Sequence, residues 1–114
     1  MNNSIKKDPA VLEYIIEGKE IVERVSKNLN SIETGNFSQE TLNSLYRDVH
    51  TLKGSAQLFG YKVMGQVSHA LEACLDPIRK GVSTLSPLLM KASINCIDFL
   101  DRLLNSIDNS GAEP

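Results

Sequence analysis

Apolar residues recur at intervals of three and four along four stretches of this chain, and each stretch is bounded by residues that start or stop a helix. No segment alternates apolar and polar residues over the length of a strand, so the pattern points to an all-α fold. Asp8-Pro9 opens the first stretch as an N-cap followed by proline at the first helical position; Val11, Ile15, Val22, Val25, Leu29 and Ile32 then run on towards Gly35. Ser38 caps the second, where Phe37 is expected to staple against Leu42, and Leu42, Leu45, Val49, Leu52, Ala56 and Phe59 form its stripe before Gly60. The third lies between Gly60 and Gly81, with Val63, Val67, Ala70, Leu71, Cys74 and Ile78 expected inward. Its last turn is expected to be kinked or separate, because Pro77 removes a backbone donor and disfavours a helical Asp76. Ser86-Pro87 repeats the cap-and-proline signal and opens the fourth, with Leu89, Ala92, Cys96, Phe99, Leu103 and Ile107 inward. Four helices with mostly short connections imply an antiparallel four-helix bundle. It is expected over residues 1–108, with 109–114 as a frayed tail or the start of a linker, and with room for a short extra C-terminal helical segment.

A chain of 114 residues with 41% hydrophobic content supplies one core and not two. Its net charge of −2, without any Lys/Arg block, gives no electrostatic reason to expect nucleic acid or an anionic membrane surface as partner, which leaves another protein. Cys74 and Cys96 are not in a CxxC spacing, so neither a disulfide framework nor a zinc ribbon is indicated, and both are expected to be buried, reduced thiols of a cytosolic protein. No apolar run approaches the roughly 20 residues that span a bilayer, and no signal-peptide core follows the first residues, so the expected location is cytoplasmic.

The chemistry lies on the second and third stretches. His50 follows Val49 by one residue, about 100° around a helix from it, and so points to the surface along with Lys53 and Gln57. Lys53 shares a face with His50. Gly54 sits one turn beyond His50, where glycine costs about 0.5–1 kcal/mol relative to alanine; its presence suggests room for an approaching partner. In a hairpin turning at Gly60, residues equidistant from the turn reach the same height: His50 is ten before it, His69 nine after and Glu72 twelve after. Helix axes 8–10 Å apart let an imidazole and a carboxylate meet. Any one of these residues alone reads as a solvated side chain; it is the set that carries a signal.

The run His50-Thr51-Leu52-Lys53-Gly54, with His69 and Glu72 facing it, resembles the histidine phosphotransfer (HPt) family, and within it the amino-terminal domain of CheA-type chemotaxis kinases. The resemblance implies that His50 is the phosphoacceptor, that Lys53, His69 and Glu72 support it, and that Gly54 and Gln57 belong to a docking face. It also implies a histidine kinase catalytic domain, in cis or trans, as donor and a response-regulator receiver domain as acceptor. By residue type, Glu72 suits the partner that accepts the proton of one ring nitrogen, Lys53 suits the phosphoryl oxygens, and His69 suits the surrounding hydrogen-bond network. No P-loop or glycine-rich nucleotide segment occurs, so the domain is expected to bind no cofactor, with ATP and Mg²⁺ held by its partners, and it is not a complete enzyme alone. Alternatives are a standalone or hybrid-kinase phosphorelay intermediate, a metal site built from His50, His69 and Glu72, or an adaptor bundle that never takes up phosphate.

Overall fold

The computed structural model describes residues 8–114, in which four helices follow one another: α1 (Pro9–Glu33), α2 (Gln39–Phe59), α3 (Lys62–Arg79) and α4 (Pro87–Ser110). The first seven residues of the expected domain lie outside the described residues. Local sequence explains the boundaries. Asp8 Oδ1 accepts from the Ala10 N–H at 2.8 Å, Ser38 Oγ from Thr41 at 3.0 Å, and Ser86 Oγ from Leu89 at 3.1 Å, each such cap contributing about 1 kcal/mol. α2 stops at Gly60, whose φ of 75° lets the Tyr61 N–H turn back onto the Ala56 carbonyl at 2.9 Å.

α3 has no side-chain cap from Tyr61. Its free N–H groups are met instead by the far end of the chain: Glu113 accepts from Val63 through Oε1 at 3.1 Å and from Met64 through Oε2 at 2.6 Å. A carboxylate at a helix N-terminus satisfies orphan donors and complements the helix dipole. Residues 109–114, expected as a tail or the start of a linker, thus turn back onto the start of α3 through Glu113. α4 runs to Ser110, past the expected boundary at 108, and among the described residues no further helix follows it.

Pro77 does not separate the last turn of α3, which continues to Arg79. A proline near the C-terminal end deprives only the Ala73 carbonyl of its intrahelical donor, and Ala73 is exposed, so water can serve it.

The bundle is a square: α1 packs on α2 and α4, α3 packs on α2 and α4, and among the described residues the diagonal pairs keep their Cα atoms more than 8 Å apart. Val25, Leu29, Leu45, Val49, Leu52, Met64, Leu71, Leu75, Leu100 and Leu104 lie in its core. The stripes expected for α1 and α2 agree in the main with those found, although Phe37 is mostly exposed and contributes little as a staple. Those of α3 and α4 agree at Leu71, Ile78, Leu103 and Ile107 and are otherwise rotated by about one residue. Met64, Ser68, Leu71, Leu75 and Ile78 face inward on α3, and Met90, Ser93, Ile97, Leu100 and Leu104 on α4. Val63, Val67 and Cys96 sit at the half-buried margin, while Ala70, Cys74, Ala92 and Phe99 are exposed, so the expectation of two buried thiols is corrected. The physical reason is that both helices carry apolar residues over a wide arc, and a serine takes the centre of the core face in each.

Gly18 is buried where α1 meets α4: a Cβ there would lie 2.9 Å from Leu104 Cδ2. Gly18→Val is expected to destabilise the bundle by about 1–3 kcal/mol, the usual cost of overpacking, as read by urea unfolding. A variant as stable as the parent would mean that Leu104 simply moves aside.

Candidate functional site

Because α2 and α3 are antiparallel around Gly60, the surface edge of α2 meets the α2-facing edge of α3 halfway along the bundle. Val49 and Leu52 are fully buried, which fixes the rotation of α2 and leaves the intervening His50 outside, its side chain 62% exposed. Leu71 and Leu75 do the same for α3 and place Glu72 at the seam, its side chain only 10% exposed. The two meet: His50 Nδ1 and Glu72 Oε2 are 2.5 Å apart. Lys53 donates from Nζ to the other carboxylate oxygen, Oε1, at 2.7 Å.

The carboxylate is thus divided between two partners. Burial acts to raise the Glu72 pKa, and the hydrogen bonds from Lys53 and His50, with their charges, outweigh it and hold the group below its ordinary value of 4.5. Glu72 is ionised at neutral pH. When the imidazole is neutral, a carboxylate accepting at Nδ1 favours the tautomer with the proton on that nitrogen and the lone pair on Nε2.

This lowered pKa has a consequence for stability. A carboxyl group whose folded-state pKa lies below its unfolded value stabilises the fold above the unfolded pKa, and that contribution disappears as pH falls through the folded value. Glu72→Gln should therefore be less stable than the parent at neutral pH, with the gap narrowing as the pH is taken below 4.5. Parallel urea unfolding curves check this. A gap independent of pH would assign the loss to shape and not to charge.

Lys53 sits three residues from His50 as expected, but its ammonium is directed at Glu72, with the side chain 18% exposed. His69 is not brought into the set. It is exposed, makes no hydrogen bond to His50, Lys53 or Glu72, and instead lines a shallow depression with Gln57, Tyr61 and Gly65. The third ligand that a metal site would need is absent from the seam, and among the described residues no cluster of three or more His, Cys, Asp or Glu is placed to hold an ion. At Gly54, a Cβ would meet nothing within 4 Å, so the domain's own packing does not require glycine there.

One neighbour of His50 was missed from sequence. The Tyr46 ring lies nearly parallel to the imidazole, at an interplanar angle of 11° with centroids 6.4 Å apart, and carries the Arg79 guanidinium on it, 4.2 Å from its centroid. Its spacing was the available signal, since Tyr46 precedes His50 by one helical turn and helical side chains lean towards the N-terminus.

Residues 10–110 match the family model of the Hpt domain. The chain is 28% identical over 101 residues to the sensor histidine kinase CheAY of Helicobacter pylori, a match covering 89% of this chain and 13% of that protein. It is 28% identical over 98 residues to the chemotaxis protein CheA of Bacillus subtilis, covering 86% of this chain and 15% of the relative. It therefore spans only a small part of the curated relatives it matches. Among solved structures, the CheA phosphotransferase domain of Thermotoga maritima superposes with a TM-score of 0.81 at 26% identity, covering 87% of this chain and 94% of that one. The P1 domain of CheA3 from R. sphaeroides gives a TM-score of 0.85 at 20% identity, covering 91% and 81%, and so shares the fold. Among the described residues, no helix is long and apolar enough to cross a membrane. With the family model matched from the first turn of α1 to the last residue of α4, the chain belongs to the Hpt domain family.

Proposed function

We propose that His50 accepts a phosphoryl group from the ATP-bound catalytic domain of a CheA-type histidine kinase and passes it to an aspartate of a response-regulator receiver domain in the cytoplasm. The observation that carries this reading is the His50 Nδ1 to Glu72 Oε2 contact beneath a largely exposed ring. It directs the Nε2 lone pair outward as nucleophile. Attack by Nε2 on the γ-phosphorus forms an N–P bond and breaks the P–O bond to ADP, and positive charge develops on the imidazole. Glu72 stabilises that charge at Nδ1, as a buried carboxylate stabilises an imidazolium in other enzymes. Lys53 keeps Glu72 ionised and is near enough in sequence to turn towards the phosphoryl oxygens once they arrive. In the second transfer the N–P bond breaks and an aspartate–phosphate bond forms. ATP and Mg²⁺ belong to the partners.

Two findings on other proteins support the choice of partners. The curated relatives include the sensor histidine kinase CheAY and the chemotaxis protein CheA, and the CheA3 P1 domain, which shares this fold, is phosphorylated and in complex with CheY6. The test is to label the protein with a cognate kinase core and radiolabelled ATP, then add a receiver domain from the same pathway. Acid-labile, base-stable label should form on the chain and move to the receiver. Label that never forms would overturn the reading.

The docking face gives a separate expectation. A glutamine at position 54 projects into open space beside His50, so Gly54→Gln should lose most phosphotransfer while its circular dichroism spectrum stays unchanged. Transfer at the parental rate would show that Gly54 is no access feature.

A further inference from the structure

We infer that Tyr46 is a positioning residue for the phosphoacceptor ring, an inference that rests on the phosphotransfer reading above. Glu72 holds His50 at one atom, Nδ1, which leaves the ring free to swing about that contact. A second constraint is needed to aim Nε2, and the aromatic one turn earlier supplies it. Helical side chains lean over the preceding turn, which lays the imidazole along the Tyr46 ring at 11° with a centroid separation of 6.4 Å.

Tyr46 is itself held. It is half-buried, and the Arg79 guanidinium on it is fixed by a 2.7 Å bond from Nη2 to Asp76 Oδ1. Gln39 at the start of α2 donates to the Arg79 carbonyl at 3.0 Å, which ties the end of α3 to α2 beside the stack. Together with Gly54, Tyr46 makes the surroundings of His50 asymmetric. An aromatic ring backs the side towards the helix N-terminus, and a residue without a side chain leaves the other side open, so a donor is admitted from the Gly54 side.

The test uses phosphoramidate, a small donor that needs no protein docking. In this reaction Nε2 forms the new N–P bond while the donor's own N–P bond breaks and ammonia leaves. Tyr46→Leu should be phosphorylated about tenfold more slowly than the parent, less than the 10²-fold that ~1 Å of misplacement can cost, and Tyr46→Phe should restore the parental rate. Carbon relaxation of the His50 ring, read on the unphosphorylated proteins, should show greater ring motion in the leucine variant alone. Thermal unfolding confirms that each variant is folded at the assay temperature. A leucine variant as fast as the parent, a phenylalanine variant as slow as the leucine one, or a slow leucine variant with an equally ordered ring would each overturn the inference. Failure of the parent itself to take up phosphate would instead reject the phosphotransfer reading.

Discussion

His50→Gln is expected to abolish phosphorylation by a cognate kinase and ATP, with no acid-labile label left on the chain. Glutamine keeps a polar side chain of similar reach but offers no nucleophilic nitrogen, since its amide lone pair is delocalised. The substitution should leave the fold intact, because His50 is largely exposed and contributes nothing to the core. His69 cannot take over in this account: it has no carboxylate fixing its tautomer and no hydrogen bond to the seam residues. Gel autoradiography after acid and base treatment checks the expectation. Residual label on the variant, or label mapped to His69, would remove His50 from its role.

Glu72→Ala should slow phosphorylation by about 10²-fold, the typical contribution of a positioned acid–base group. The loss has two parts. Without the acceptor at Nδ1, the ring samples both tautomers, and the positive charge that forms during attack loses its carboxylate partner while Lys53, of like sign, stays close by. The same variant separates the rival readings. A metal site would answer with weaker metal binding, and an adaptor with no chemical change. Kinase assays with and without a chelator that spares Mg²⁺ distinguish these outcomes, and a parental rate would leave Glu72 outside the mechanism.

Much of this was legible in the sequence because the responsible signals are local. Caps at Asp8, Ser38 and Ser86 and the left-handed Gly60 act within one turn, so helix boundaries could be read residue by residue. The meeting of His50 with Glu72 followed from counting residues either side of one tight turn, which fixes height along an antiparallel pair. Rotation about the helix axis was harder. On α3 and α4, apolar residues cover a wide arc, and Ser68 and Ser93 occupy the inward positions that a hydrophobic count assigns to their neighbours. The same loss of rotational precision affects His69: its height is right, yet it lies on the exposed side of the seam, three residues from a buried Glu72. The Glu113 contact with α3 was not legible, because it depends on a turn after Gly111 bringing the tail back to a helix start some fifty residues earlier. The contacts of Lys53 were only half legible, since spacing puts its stem beside His50 without deciding which anion its flexible end selects.

If Glu72 fixes His50 so that Nε2 carries the phosphate, nitrogen NMR of the imidazole will show it. Long-range proton–nitrogen spectra of the free protein should show His50 protonated at Nδ1 with a lone pair on Nε2. After phosphorylation, the phosphorus should couple to Nε2 of His50 alone. Phosphorus coupled to Nδ1 of His50, or to either nitrogen of His69, would contradict the account.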